Sequence, residues 1–295
     1  MTSPLTRPSS AGAALSCAGT DLDLSTPIIM GVLNITPDSF SDGGRWLSGG
    51  RPDLDALRRV AVAMVESGAK ILDIGGESTR PGATPVSEEE ELDRVVPVFE
   101  ALKNETDAVL SLDSSNPSVM RAAAGAGAGL LNDVRALGRQ NALKVAAELS
   151  LPVCLMHMQG APDTMQKSPE YLDVVAEVSQ FLAARVEACV AAGIERSQIV
   201  VDPGFGFGKT LEHNLTLLAQ LDRFEELDLP IMVGLSRKSL IAKLTGREVD
   251  DRLPGSLALA MLAAERGASI LRVHDVAETA DVLRILQAVK DVRIP

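Results

Sequence analysis

The sequence predicts an α/β fold, a closed (β/α)8 TIM barrel, and three observations carry that expectation. Eight short apolar runs, at 28–34, 71–76, 109–113, 130–134, 152–158, 199–204, 230–235 and 270–275, are continuous rather than alternating, as strands covered on both faces of a parallel sheet must be. Helical periodicity separates most of them. Eight β/α units in a chain of 295 residues also match single barrel domains, which occupy about 250 residues. An open doubly wound sheet is the alternative. It would normally carry a Gly-x-Gly-x-x-Gly turn after the first strand, where this chain has LNITPDSF.

Taken in order, residues 1–14 are rich in Ser, Pro, Ala and Gly and read as a flexible tail, with 15–295 as a single domain. Leu22 to Met30 alternate loosely with polar residues, enough for an N-terminal hairpin before the strand that ends on Asn34. The polar, glycine-rich segment 35–50 and the GGESTRPGATPVS segment from Gly75 read as long loops after strands 1 and 2, and long loops in compact domains are usually functional.

Between these loops, Leu54, Leu57, Val60, Ala61 and Met64 give a helix from about Pro52 to Gly68. Ser87 and Glu90 form a capping box for the next helix, and Pro117 is placed to begin another. Further helices are expected over about 141–149, 171–192 and 278–289.

Composition narrows the function. A formal charge of −12 with few aromatic residues argues against a nucleic-acid surface, which needs a basic stripe or a stacking platform. Three cysteines without Cys-x-x-Cys spacing exclude a disulfide framework and a Cys-rich zinc site. With no basic, apolar leader and no run of about 18 apolar residues, the expected location is cytoplasmic, without membrane attachment.

Polarity at the strand ends then points to a site. In a barrel the carboxyl ends of all strands share one face, where active sites sit, so residues distant in sequence converge there. Asp113, Asn132 and Asp202 each end an apolar run. Any one of them alone equally suits a helix cap, but three beside the glycine-rich stretch IVVDPGFGFGK (199–209) favour a ligand presenting several N–H groups, such as a 2-amino-4-oxo pyrimidine edge. Phe205 and Phe207 read as flat apolar surfaces next to the acid rather than as core filling.

Arg80, Lys209, Arg237, Lys238, Arg272 and His274 also follow strand ends, and such a cluster in an acidic chain suggests phosphate or diphosphate. His157, flanked by methionines, reads more readily as a core residue than as a base, and His213 as helix-start surface.

The strings LNITPDSFSDGG (33–44), DIGGESTRPG (73–82), LND (131–133), MHMQGAPDTMQ (156–166), DPGFGFGK (202–209), GLSRKS (234–239) and RVHD (272–275) together resemble the bacterial dihydropteroate synthases of the pterin-binding family. The resemblance runs in order over about residues 15–290. It implies a (β/α)8 barrel that condenses 6-hydroxymethyl-7,8-dihydropterin diphosphate with 4-aminobenzoate, releases pyrophosphate, uses Mg²⁺ and is a sulfonamide target of folate synthesis.

By the same resemblance, Asp113, Asn132, Met156, Asp202, Lys238 and Arg272 would bind the pterin. Asn34, Arg80, Arg272 and His274 would take the diphosphate, with Asn34 and Asp42 also meeting Mg²⁺. Phe40, Thr79, Pro81, Phe207, Lys238 and Ser239 would form the aminobenzoate site, and the chain would form a homodimer.

The chain departs from the family pattern at LDSS, where Asp-Thr-Ser is expected, and in the loop 135–140, which lacks a proline. Two rival readings share the pterin pocket: a methyltransferase domain working with a cobalamin partner, and a pterin-binding protein without activity. The first would not carry STRPG, SRKS and RVHD, and the second should show damage at Asp113, Lys238 or Arg272, where there is none.

Overall fold

The structure is a computed structural model that describes residues 14–36, 47–48, 51–78, 86–160, 165 and 168–292. It opens with an antiparallel hairpin, β1 (Ala14–Cys17) and β2 (Thr20–Asp23), paired from Ala14↔Asp23 to Cys17↔Thr20. This is earlier than the alternation at 22–30 predicts, and Ala14, assigned above to the tail, is its first residue. The cause is the turn: Ala18 and Gly19 both take positive φ, 47° and 92°, the two-residue geometry that matches strand twist, and so Leu22 turns back onto Leu15 instead of forward.

The barrel strand β3 (Ile28–Asn34) follows, then a short ribbon of β4 (Leu47–Ser48) and β5 (Arg51–Pro52) inside the first long loop. From there strands and helices alternate. They run α1 (Leu54–Glu66), β6 (Ala69–Gly75), α2 (Glu88–Leu102), β7 (Val109–Asp113), α3 (Pro117–Ala126), β8 (Leu130–Asp133), α4 (Ala142–Leu149) and β9 (Val153–Met156). The second half holds α5 (Val174–Ala191), β10 (Ile199–Asp202), α6 (Leu211–Ala219), β11 (Ile231–Val233), α7 (Ser239–Thr245), α8 (Leu253–Glu265), β12 (Ala268–Val273) and α9 (Val276–Lys290).

Eight parallel strands close in the order β10-β11-β12-β3-β6-β7-β8-β9, each beside its neighbour in sequence. That is the predicted barrel, with strands one or two residues shorter at several ends.

Local chemistry sets the helix starts. Asp53 accepts from the Ala56 amide, Asp173 from the amides of Val175 and Ala176, and Pro117 opens α3 without a donor to waste. Ser87 accepts from Glu90 N as expected, but the Glu90 carboxylate turns to Arg94 instead of completing the box. His213 lies at the start of α6 as expected, and with Thr210 it forms a reciprocal cap there.

Two apolar clusters hold the fold. One lies between strands and helices; the other fills the lower lumen, where Met30, Ile71, Val109, Leu130, Cys154, Val200, Met232 and Ile270 supply one residue per barrel strand and Leu15, Cys17, Leu22 and Leu24 of the hairpin segment close them from below. None of the described helices is long and apolar enough to cross a membrane.

Candidate active site

Side chains two residues apart on a strand share a face, so the residues after the apolar floor also enter the lumen. On β6, β7, β8, β10 and β12 these are Asp73, Ser111, Asn132, Asp202 and Arg272, and here the lumen turns polar. Asp73 is its hub. Fully buried, it accepts from Ser111 Oγ at 2.6 Å, Asn132 Nδ2 at 3.1 Å and Arg272 Nε at 2.6 Å. Arg272 spans outward from there, its Nη2 donating to Asp113 Oδ2 at 2.8 Å.

Asp73 lies two residues before the end of β6, so the polarity of strand ends does not point to it. The available signal was an ionisable residue in the apolar run ILDIG, since a buried charge must have a partner.

The charges hold one another in their working states. Burial pulls the Arg272 guanidinium down, but Asp73 and Asp113 more than offset it, so it stays a cation. Burial raises the Asp113 carboxyl, against the pull of Arg272. Asp202 is also raised by burial, with Lys238 opposing, and the Lys238 ammonium is lowered by burial to about 8 while Asp202 props it up. Asp202 and Lys238 therefore each favour the charged form of the other.

The segment after β10 is built on glycines where backbone meets backbone. Gly204 and Gly208 take φ of +70° and +61°, and a Cβ would lie 1.8 Å from the His157 carbonyl oxygen on the first and 2.5 Å from the Gln159 carbonyl oxygen on the second. Phe205 does not face a ligand as expected; its ring is fully buried in the outer core, because the sharp turn leaves it no solvent side. What Phe205 offers the site is its carbonyl, which accepts from Lys238 Nζ. Phe207 is half-buried, with Lys238 Nζ 4.7 Å from its ring centroid.

The proposed cation cluster separates into two groups. Lys209 does not reach toward an anion: only 2% exposed, it donates to His157 Nδ1 at 2.9 Å, Gly204 O at 2.9 Å and Phe207 O at 3.0 Å. Arg237 is paired with Asp275. Lys238 and Arg272 remain at the mouth with His274, whose Nδ1 lies 3.1 Å from Ser236 Oγ. His157 is buried, its basicity lowered to about 3 by burial and by Lys209. Burial lowers the Lys209 ammonium to about 7 while Asp202 props it up; in its ammonium form Lys209 can only donate, and Nδ1 of His157 then accepts with its proton on Nε2. His157 is a core residue, as expected.

Asn34 ends β3 in register with Gly75, which is paired in turn with Asp113, and Asp113 with Asn132, so the four line up across neighbouring strands. Met156 ends β9, 4% exposed, paired with Asp202. Ser239 is exposed as the first residue of α7. Asp133 serves the β8 turn, accepting from the amides of Arg135 and Leu137. Phe40, Asp42, Thr79, Arg80 and Pro81 lie outside the described residues. The arrangement offers acceptors in Asp113 and Asp202, a donor in Lys238 and a fixed guanidinium plane: a slot for a flat, hydrogen-bonding ligand.

Comparison with known proteins agrees with that geometry. The profile of the pterin binding enzyme family matches residues 30–274. The dihydropteroate synthase of Escherichia coli strain K12 is 52% identical over 274 residues, covering 93% of this chain and 95% of that protein. The Yersinia pestis dihydropteroate synthase, solved with a sulfonamide drug, superposes with a TM-score of 0.90 at 50% identity, covering 95% of this chain and all of that one. The Xanthomonas albilineans enzyme in complex with 7,8-dihydropteroate gives 0.85 at 48% identity, over 95% of this chain and all of that one. With a polar barrel mouth of this composition and relatives of this similarity over nearly the whole length, the chain belongs to the dihydropteroate synthases of the pterin binding enzyme family.

Proposed function

We infer that this chain condenses 6-hydroxymethyl-7,8-dihydropterin diphosphate with 4-aminobenzoate to give 7,8-dihydropteroate and pyrophosphate, a step of folate synthesis. The observation that carries the reading is the meeting of Asp113, Asn132, Asp202, Lys238 and Arg272 at one end of the lumen, from well-separated parts of the sequence. The carboxylates of Asp113 and Asp202 and the amide of Asn132 accept and donate along the amino-oxo edge of the pterin. Lys238 donates to its oxo group, Met156 packs on it, and the Arg272 guanidinium lies against its face.

Catalysis on this reading is orientation and charge. The bond from the pterin methylene to the diphosphate oxygen breaks, its electron pair leaves with the diphosphate, the aniline nitrogen attacks the methylene carbon, and the proton that this nitrogen then sheds passes to the released pyrophosphate or to solvent. Arg272 and His274, with Arg80, draw negative charge onto the leaving group, while Phe207, Lys238 and Ser239, with Phe40, Thr79 and Pro81, receive the aminobenzoate. The dihydropterin ring can delocalise the methylene cation, which favours a dissociative order. Positional isotope exchange in bound pterin diphosphate without aminobenzoate is the expected result; bond breaking that strictly requires the nucleophile would exclude that order.

Mg²⁺ suits the oxygen donors assigned to it. Among the described residues no group of three or more His, Cys, Asp or Glu forms a protein cage. The half-buried Asn34 carboxamide at the end of β3, with Asp42, would instead hold the ion jointly with the diphosphate, the few-ligand mode typical of this cation. When bound, Mg²⁺ neutralises charge on the diphosphate.

A homodimer through α7 and α8 is also proposed, with Leu244 and Met261 exposed there at 52% and 37%. Incubating the purified chain with both substrates and Mg²⁺ should yield dihydropteroate by mass spectrometry. Pterin binding without product would leave the non-catalytic reading standing instead.

A further inference from the structure

Lys209 is among the largest fully buried side chains and is held by three protein partners. Its three ammonium protons meet three acceptors: two carbonyls of the turn at 204–208 and the ring nitrogen of His157, which follows β9. We propose that Lys209 is a positioning residue of the condensation: with His157 it braces residues 204–208, so that the Phe205 carbonyl and the Phe207 ring hold the Lys238 ammonium at the barrel mouth. This rests on the function inferred above.

Gly204, Gly206 and Gly208 all hold positive φ, and glycine is the residue least inclined to stay in one conformation. A segment of that composition keeps its shape only if tied. Asp202 Oδ1 takes the Gly204 amide at 2.7 Å, Asn214 Oδ1 the Gly206 amide at 2.7 Å, and Tyr171 donates to the Gly208 carbonyl at 2.9 Å. Lys209 adds what these do not. From inside the turn it draws the carbonyls of residues 204 and 207 onto one atom and fastens that atom to the end of the neighbouring strand.

The same turn sends the Phe205 ring into the core and its carbonyl to Lys238, with the Phe207 ring beneath the ammonium. Displacing the turn therefore displaces these two supports of Lys238 together, leaving the charge of Asp202.

The test is Lys209→Met in the full chain, read by steady-state kinetics and by hydrogen exchange. KM for one or both substrates should rise about tenfold or more while kcat changes less than about threefold, the pattern of lost positioning at the binding stage. Exchange at 203–210 should speed up while the barrel strands keep their wild-type rates. His157→Gln, whose side-chain oxygen offers Lys209 the same acceptor, should behave as wild type, and His157→Leu should follow Lys209→Met.

Wild-type KM and exchange in Lys209→Met would overturn the proposal, as would faster exchange throughout the barrel, which marks a general stability role. Should Lys209→Met fail to fold, the two His157 variants decide: identical behaviour overturns the brace. A wild-type chain that makes no dihydropteroate refutes the functional reading instead, and the brace is then judged by local exchange and calorimetric pterin affinity.

Discussion

Ile71 and Asp73 lie two residues apart on β6, both fully buried and both turned into the barrel. Ile71 joins apolar residues from each of the other barrel strands and needs from them only volume. Asp73 needs three particular partners, Ser111, Asn132 and Arg272, and through Arg272 a fourth, Asp113. The lower lumen is thus bound by shape and is tolerant of exchange. The upper lumen is bound by reciprocal charge, where the loss of one member leaves the others desolvated and unpaired.

The sharpest way to break this contrast is Asp73→Ala. It leaves a buried guanidinium short of a counter-charge and should cost about 3–5 kcal/mol of stability, together with pterin affinity. Urea denaturation and calorimetry check both; a stable variant with intact binding would mean that Asp73 is not the hub. Met30→Ala, in the floor and fully buried, should cost about 2–5 kcal/mol of stability yet leave affinity in the folded protein unchanged. Loss of binding there would erase the distinction between the two halves.

At the mouth, Lys238→Ala and Asp202→Asn should each weaken pterin diphosphate binding by about 1.5–3 kcal/mol, because each removes a charge-assisted contact. Unchanged affinity in both would mean that the pterin is held elsewhere. The smallest effect is that of pH. Lys238 titrates at about 8, so affinity should fall as pH rises through that value and the ammonium is lost. Because burial raises Asp113 and Asp202, affinity should also fall on the acid side at a higher pH than free carboxylates would give. Lys238→Arg should remove the alkaline limb; a limb that persists belongs to another group.

The same contrast explains what the sequence could reveal. Continuous apolar runs announced the barrel, and polar residues closing them announced the mouth, because both signals are local: Asp113, Asn132, Asp202 and Lys238 appear where a strand pattern stops, and Arg272 one residue before the end of its strand. Asp73 escaped because its role depends on partners on three other strands. Phe205, Lys209 and Arg237 looked like ligand contacts because backbone direction within a tight turn decides which way a side chain points, and composition does not encode that direction. The hairpin shifted for a related reason: the turn at Ala18 and Gly19 outweighed the looser alternation downstream.

The hairpin of β1 and β2 makes the barrel a blind well. Leu15, Cys17, Leu22 and Leu24 seal its lower end, so whatever arrives deep against Asn132 must come in and go out past the rim. On the proposed seating, with the pterin against Asn132 and the aminobenzoate nearer the rim, the second substrate would bar the way of the first. The deeper substrate should therefore load first, and the spent diphosphate should share its exit with the next arrival. Aminobenzoate that binds equally well before and after the pterin would show that the queue does not exist.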